Sequence, residues 1–201
     1  MGVKQFKTSE IMILIVDCGY TSIYKLEDLV DQFSDYKTVS IYDIDFEEIQ
    51  KLNPKGAIIS HAHISINETN VDKYIEKIQA VLKLEIPVLG IGVGHHLLGV
   101  YFGALPAYEP YRNELVEIGI LETDGLFDKL PNEVELIKDN AGTISIPPGF
   151  QLLASSDYSI NEAMKKNDKP LYGVQFIPEV SGNLGAVIMD NFVNISLKKA
   201  D

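Results

Sequence analysis

The sequence is poor in the features that stabilise secreted proteins or anchor membrane proteins. Cys18 is the one cysteine among 201 residues, so no disulfide can form within the chain. Such sparse cysteine is typical of a reducing compartment, and we expect a cytoplasmic protein. No apolar run approaches the roughly 20 residues of a membrane-spanning helix. These absences exclude a disulfide-stabilised scaffold and a helical membrane protein.

Positive charge is also scarce. Lysine and arginine number 17 against 29 aspartates and glutamates, which gives a formal net charge of −12. Binding to nucleic acids or to anionic membranes requires a basic surface, so we expect neither kind of partner. The hydrophobic content of 46% is nevertheless ordinary for a globular protein. A chain of this length buries most of its surface on folding and needs no disulfide or metal to hold its core together.

The first half of the sequence alternates between apolar, strand-like segments and amphipathic, helical ones. Apolar residues recur at helical spacing from Ile23 to Phe33 and from Val71 to Leu82, the second time after a capping Asn70. The strand-like segments are 11–16, 37–42, 56–60 and 87–91. Because strands that alternate with helices form βαβ units, the pattern predicts a parallel sheet.

After about Leu115 the pattern changes to short alternating segments separated by turn residues, which predict antiparallel or mixed strands. A final helix is expected over 184–199. No shift in composition marks a linker, so we predict one α/β domain over 11–201. Residues 1–10 precede the first apolar segment, and we expect them to be a loose leader.

A glycine-rich turn, GIGVGHHLLG, lies at 90–99 between a predicted strand and a predicted helix. A dinucleotide-binding fingerprint needs glycine at its first, third and sixth positions, and the sixth is His95 here. This departure disfavours a dinucleotide cofactor. Free N–H groups at the start of the helix could still hold an anion, which points to ligand binding near Gly92 and Gly94.

All four histidines follow predicted parallel strands, His61 and His63 after one strand and His95 and His96 after another. Ligands of open α/β sheets gather beyond the carboxyl ends of the strands. If the two strands are neighbours, the histidines lie at one edge of the sheet, where imidazoles could bind a metal ion. The alternative is a set of polar loop residues that bond backbone and water.

A strand is also predicted within YGVQFIPEV at 172–180, and it ends at Pro178 and Glu179. The Glu179 carboxylate is therefore expected at the carboxyl end of a strand. Taken alone, such a group is more simply a solvated or capping carboxylate than a catalytic one.

Several of these segments together resemble the class I glutamine amidotransferases, and within that family the separate glutaminase subunits of archaeal GMP synthases. The segments are ILIVDCG at 13–19, GAIIS at 56–60, PVLGIGVGHHLL at 87–98, GLFDKLP at 125–131 and KPLYGVQFIPEV at 169–180. They occur in the family's order and span nearly the whole chain. The resemblance implies a flavodoxin-like fold: an open, mostly parallel sheet flanked by helices, with a smaller mixed or antiparallel sheet.

The family hydrolyses glutamine with a Cys-His-Glu triad, and the resemblance places that triad at Gly92, Ile177 and Glu179. Glycine has no nucleophile, and isoleucine can neither take nor give a proton. Only the carboxylate of the triad remains. The resemblance therefore implies that glutamine hydrolysis by the usual mechanism is absent and that the triad is degenerate.

Further departures surround the same positions. The family's Gly-Gly-Pro turn after the third strand reads His61-Ala62-His63 here, and its glutamine after Gly-His is His96. GMP synthase subunits also carry a histidine in the stretch that reads DNAGTIS at 139–145, where this chain has none. Four or more changes around one site indicate a lineage that has abandoned glutaminase chemistry.

Three functions stay open. The first is a ligand-binding, regulatory or scaffold protein whose partner is a synthetase-like protein or a second copy of the chain. Its small-molecule ligand would lie against Gly92, Val93, Gly94, His96 and Cys18. Cys18 itself is expected to be a small packed residue rather than a replacement nucleophile.

The second function is a repurposed metal site for a zinc or iron ion, with a hydrolytic or binding role. Its predicted ligands are His61, His63, His96 and Glu179. The third function is the family's own, an amidotransferase subunit of GMP synthase. That role would require an ATP-dependent synthetase partner, because nothing in the chain is predicted to bind ATP.

Overall fold

The computed structural model describes residues 12–67 and 69–198, so the predicted leader at 1–10 lies outside the described residues. The strands are β1 (Met12–Asp17), β2 (Asp35–Ser40), β3 (Gly56–Ile59), β4 (Val88–Ile91), β5 (Pro106–Ala107), β6 (Arg112–Ile120), β7 (Glu133–Asn140), β8 (Thr143–Ile144), β9 (Phe150–Ser155), β10 (Ala163–Lys166) and β11 (Leu171–Val174). The α-helices are α1 (Ile23–Asp31), α2 (Phe46–Lys51), α3 (Asp72–Leu82), α4 (Val93–Tyr101) and α5 (Gly182–Lys198).

Nine of the strands form one sheet in the order β2-β1-β3-β4-β11-β10-β9-β6-β7. The five strands from β2 to β11 are parallel, and each later pair, from β11–β10 to β6–β7, is antiparallel. The predicted α/β fold with a large, mostly parallel part is confirmed. The small second sheet consists of β5 and β8. The alternating segments after Leu115 instead extend the main sheet, because β11 pairs with β4 on one side and with β10 on the other.

The apolar run in β1 is buried because both faces of the sheet are covered. Ile13 and Ile15 pack into one hydrophobic cluster, with residues of α1 and α5. Leu14 and Val16 point to the other face and pack into a second cluster, with residues of α3. This two-sided cover is what a continuous β-branched run predicts.

Several element boundaries differ from the predicted ones by about two residues. Strand β2 ends at Ser40 instead of residue 42, because the Ser40 hydroxyl accepts the Tyr42 N–H and starts a turn of 3-10 helix. Helix α3 begins at Asp72, whose N–H is bonded by the Asn70 side chain. No helix within 12–67 and 69–198 is both long enough and apolar enough to cross a bilayer.

Candidate functional site

The carboxyl ends of three parallel strands meet at the centre of the sheet. Strand β3 leads into His61, β4 leads into Gly92 and β11 leads towards Ile177. Because β3 pairs with β4 and β4 pairs with β11, these residues lie side by side. The expectation that the strands before the two histidine pairs are neighbours is confirmed.

Gly92 forms a sharp turn between β4 and α4. Its φ of 55° and ψ of −110° are unfavourable for residues with a side chain, and its N–H donates to the Val174 carbonyl at 2.8 Å. A Cβ atom added at Gly92 would overlap Nδ1 of His61 and would lie 3.0 Å from Cδ1 of Ile177. A side chain therefore has no room at this turn unless His61 moves.

His61 occupies that space as a fully buried side chain. Its Nδ1 accepts the Val93 N–H at 3.4 Å, and its ring meets the Tyr20 ring edge-on at 5.0 Å between centroids. Desolvation lowers the pKa of His61 to about 4, so the ring is neutral at neutral pH. Its Nε2 is buried without a hydrogen-bond partner, and Ser60 fixes the turn by donating its hydroxyl to the His61 carbonyl.

His63 and Asp139 lie beside His61 at the surface of the site. The His63 ring is exposed and stands 5.2 Å from the His61 ring. Asp139, on β7, is half-buried and accepts the Tyr111 hydroxyl at 2.6 Å. One ligand atom from each of His61, His63 and Asp139 lies within 4.8 Å of the other two.

The predicted metal ligands are thus only partly brought together. The group within 4.8 Å joins His61 and His63 to Asp139, and it does not include His96 or Glu179. Asp139 did not emerge from the spacing of histidines. The available signal was the stretch 139–145, where the resemblance already placed a site residue of related proteins.

His96 and Glu179 are buried apart from that group. Neither ring nitrogen of His96 has a well-oriented hydrogen-bond partner, although Gln175 lies beside it, and burial lowers the pKa of His96 to about 3. Glu179 lies in a turn of 3-10 helix at Pro178–Val180. Both of its carboxylate oxygens are buried without a partner, and desolvation raises its pKa to about 7.

The other predicted ligand-binding positions are closed to solvent. Cys18 is 2% exposed, and burial together with the charge of Asp17 raises its pKa to about 12, so its thiol is not ionised at neutral pH. Gly94 packs against the Ile59 carbonyl so tightly that a Cβ atom would overlap it. The N–H groups of Gly92 and Val93 are bonded within the protein and are not free, in contrast to the expectation.

A second buried polar cluster lies in the antiparallel part of the sheet. Lys138, on β7, is fully buried, and its Nζ lies 2.9 Å from Oε1 of Glu109 and 2.9 Å from Oε1 of Glu162. Gln175 donates to the other oxygen of Glu109, and Ser156 donates to Glu162. Sequence reasoning missed this network, because a lysine in an alternating strand is expected to face solvent.

Comparison with known proteins gives a consistent picture. Residues 14–195 match the family described as "Glutamine amidotransferase class-I". A subunit of the glutamine-hydrolyzing GMP synthase of Pyrococcus furiosus is 33% identical over 187 residues, which cover 92% of this chain and 98% of that protein. The glutamine-hydrolyzing GMP synthase of Bacillus subtilis is 36% identical over 185 residues, which cover 90% of this chain and 36% of that protein.

A solved structure is also similar. It is a Thermoplasma acidophilum protein described as a candidate GMP synthase subunit, with a TM-score of 0.82 and 25% sequence identity. The match covers 94% of this chain and 96% of the other.

Proposed function

Because the chain belongs to the class I glutamine amidotransferase family, we propose that it serves as an amidotransferase-like binding or regulatory protein that does not hydrolyse glutamine through a cysteine. In this role the fold and its surfaces are kept, and the triad is degenerate. The family's glutaminase step needs a nucleophile at the turn between β4 and α4. This chain has Gly92 there.

The observation that carries the proposal is the placement of His61 against Gly92. The ring fills the space that a side chain at the turn would need, and its Nδ1 takes up the Val93 N–H. A thioester intermediate could not form at a glycine, and Ile177 offers no proton acceptor beside it. Cys18 does not replace the missing thiol, because it is buried and protonated.

A synthetase-type protein is the partner that we propose. The Pyrococcus relative is named as one subunit of a GMP synthase, and this chain corresponds to only 36% of the Bacillus protein. The rest of that longer protein has no counterpart here, so an equivalent assembly would need a second chain. Such an assembly fits a cytoplasmic setting, and a small-molecule ligand or a second copy of the chain are the other partners to test.

A second candidate function is the one in the relatives' names, the glutamine-hydrolysing component of a GMP synthase. The identity of about a third over nearly the full length of the Pyrococcus protein favours it. This function would require a catalytic group other than a thiol at position 92.

Ammonia release from glutamine separates the two functions. We expect the purified chain, both by itself and mixed with a synthetase protein, to release no ammonia above the buffer rate. The Pyrococcus furiosus relative, assayed in parallel, is the positive control. Enzyme-dependent ammonia release by this chain would overturn the first proposal and support the second.

A further inference from the structure

We infer that His61, His63 and Asp139 form a binding site for a divalent transition-metal ion such as Zn²⁺ or Fe²⁺. Two imidazoles and one carboxylate are a ligand set that both ions accept, and they leave coordination positions open. The site joins the turn after β3 to the end of β7. It does not depend on whether the chain hydrolyses glutamine.

The distances fit an ion after small side-chain movements. Tetrahedral ligands with bonds of about 2.1 Å stand about 3.4 Å apart. The three ligand atoms already lie within 4.8 Å of one another without an ion. His63 is exposed and Asp139 is half-buried, so both can rotate towards the fixed His61 at little cost.

An independent observation points to a ligand at His61. Its Nε2 is aimed into a buried position where it has no hydrogen-bond partner, and an unpartnered buried polar atom is destabilising. Ligation through Nε2 places the ring proton on Nδ1, facing the Val93 N–H. The His61–Val93 hydrogen bond is then lost, and at 3.4 Å it is a long bond that contributes little.

The surroundings support the site from both sides. Tyr111 donates its hydroxyl to Asp139 at 2.6 Å, which is the kind of contact that orients a ligating carboxylate. A cavity of ≈ 180 Å³ lies against His63, Tyr111 and Asp139. The open coordination positions of the ion would face this cavity, which has room for water and for a small ligand with an oxygen donor.

Metal titration of the full chain tests the inference. The protein is prepared without a nickel column, treated with chelator, and titrated with Zn²⁺ by calorimetry and with Co²⁺ by visible absorption. We expect one ion per chain, cobalt bands typical of mixed nitrogen and oxygen ligation, and a shift of the Val93 amide resonance that saturates at the same ratio. No binding, or binding without a change at Val93, would overturn the site.

Variants of the two accessible ligands locate the ion. His63→Ala and Asp139→Asn should each abolish measurable binding while circular dichroism stays unchanged, and Tyr111→Phe should weaken binding about ten-fold. Asp157→Asn, at an exposed carboxylate away from the site, is the matched control and should bind as the parent does. Parent-like affinity in both His63→Ala and Asp139→Asn would place any bound ion elsewhere and contradict the inference.

Discussion

The protein buries two polar regions, and they are built in opposite ways. Around Lys138, each side chain has a charged or hydrogen-bonded partner, and Glu109 and Glu162 share one ammonium group. Around the turn at Gly92, His96 and Glu179 have no well-oriented partner, and His61 has one long hydrogen bond. The first region ties the antiparallel strands together. The second leaves polar atoms unsatisfied in the part of the fold where the family carries out its chemistry.

This difference separates polar groups that serve the fold from those that mark a site. A satisfied network stabilises a particular packing, whereas orphaned polar atoms reduce stability and persist where a ligand or a former function explains them. Glu179 illustrates the second case. The resemblance assigns it to a triad whose histidine position is Ile177, so its carboxylate is left without the imidazole it would orient.

The largest effect is expected from breaking the satisfied network. Lys138→Met leaves the carboxylates of Glu109 and Glu162 buried without their shared cation. We expect a loss of about 3–5 kcal/mol in the free energy of unfolding, measured by urea denaturation. Lys51→Met, which removes an exposed lysine paired with Glu48, is the control and should change stability by less than about 1 kcal/mol. Equal losses in both variants would mean that the buried network has no special role.

A smaller effect of opposite sign is expected at Glu179. Its pKa is about 7 in the folded protein and 4.5 without the fold, so the folded chain keeps the proton to higher pH. Stability is therefore present in full below pH 4.5 and is lost as the pH rises towards 7 and beyond. Glu179→Gln carries no such penalty, and we expect it to be about 2–3 kcal/mol more stable than the parent at pH 8.

The pH dependence distinguishes this explanation from simple repacking. Urea denaturation at pH 5 and pH 8 should give a gap between Glu179→Gln and the parent that widens with pH. A gap of the same size at both values would show that desolvation of the carboxylate is not its cause.

The smallest of these effects concerns the turn itself. Gly92→Ala should cost about 1–3 kcal/mol, from the positive φ and from the overlap with His61. Gly182→Ala is the matched control, because its φ is 61° and a Cβ atom there meets nothing within 4 Å. The excess cost at Gly92 should disappear when both substitutions are compared in a His61→Ala background. An excess that persists would mean that His61 does not fill the turn.

The sequence predicted the parallel part of the molecule better than the antiparallel part. The buried run in β1 and the glycine turn after β4 have local signals, and parallel neighbours bring His61 near Gly92. Asp139 and Lys138 were not predicted, because they are placed by the register of β7 against β6, which pairs residues distant in the sequence. Strand register of this kind is set by packing and leaves no local pattern.

The orientation of side chains at the site was also beyond the sequence. Spacing placed His96 and Glu179 near His61, but it could not say that the group with metal-ligand geometry would use Asp139 instead. Whether the N–H groups at the turn are free depends on one rotamer, that of His61. Such details follow from three-dimensional packing rather than from periodicity.

The most direct test of the central claim is covalent trapping with an electrophilic analogue of glutamine that alkylates catalytic thiols. The intact mass of the chain is measured after incubation, with the Pyrococcus furiosus relative treated in parallel. We expect the mass of this chain to stay unchanged, because Gly92 offers no thiol and Cys18 is buried and protonated. Stoichiometric addition of one analogue per chain would contradict the account and show that a reactive nucleophile is present.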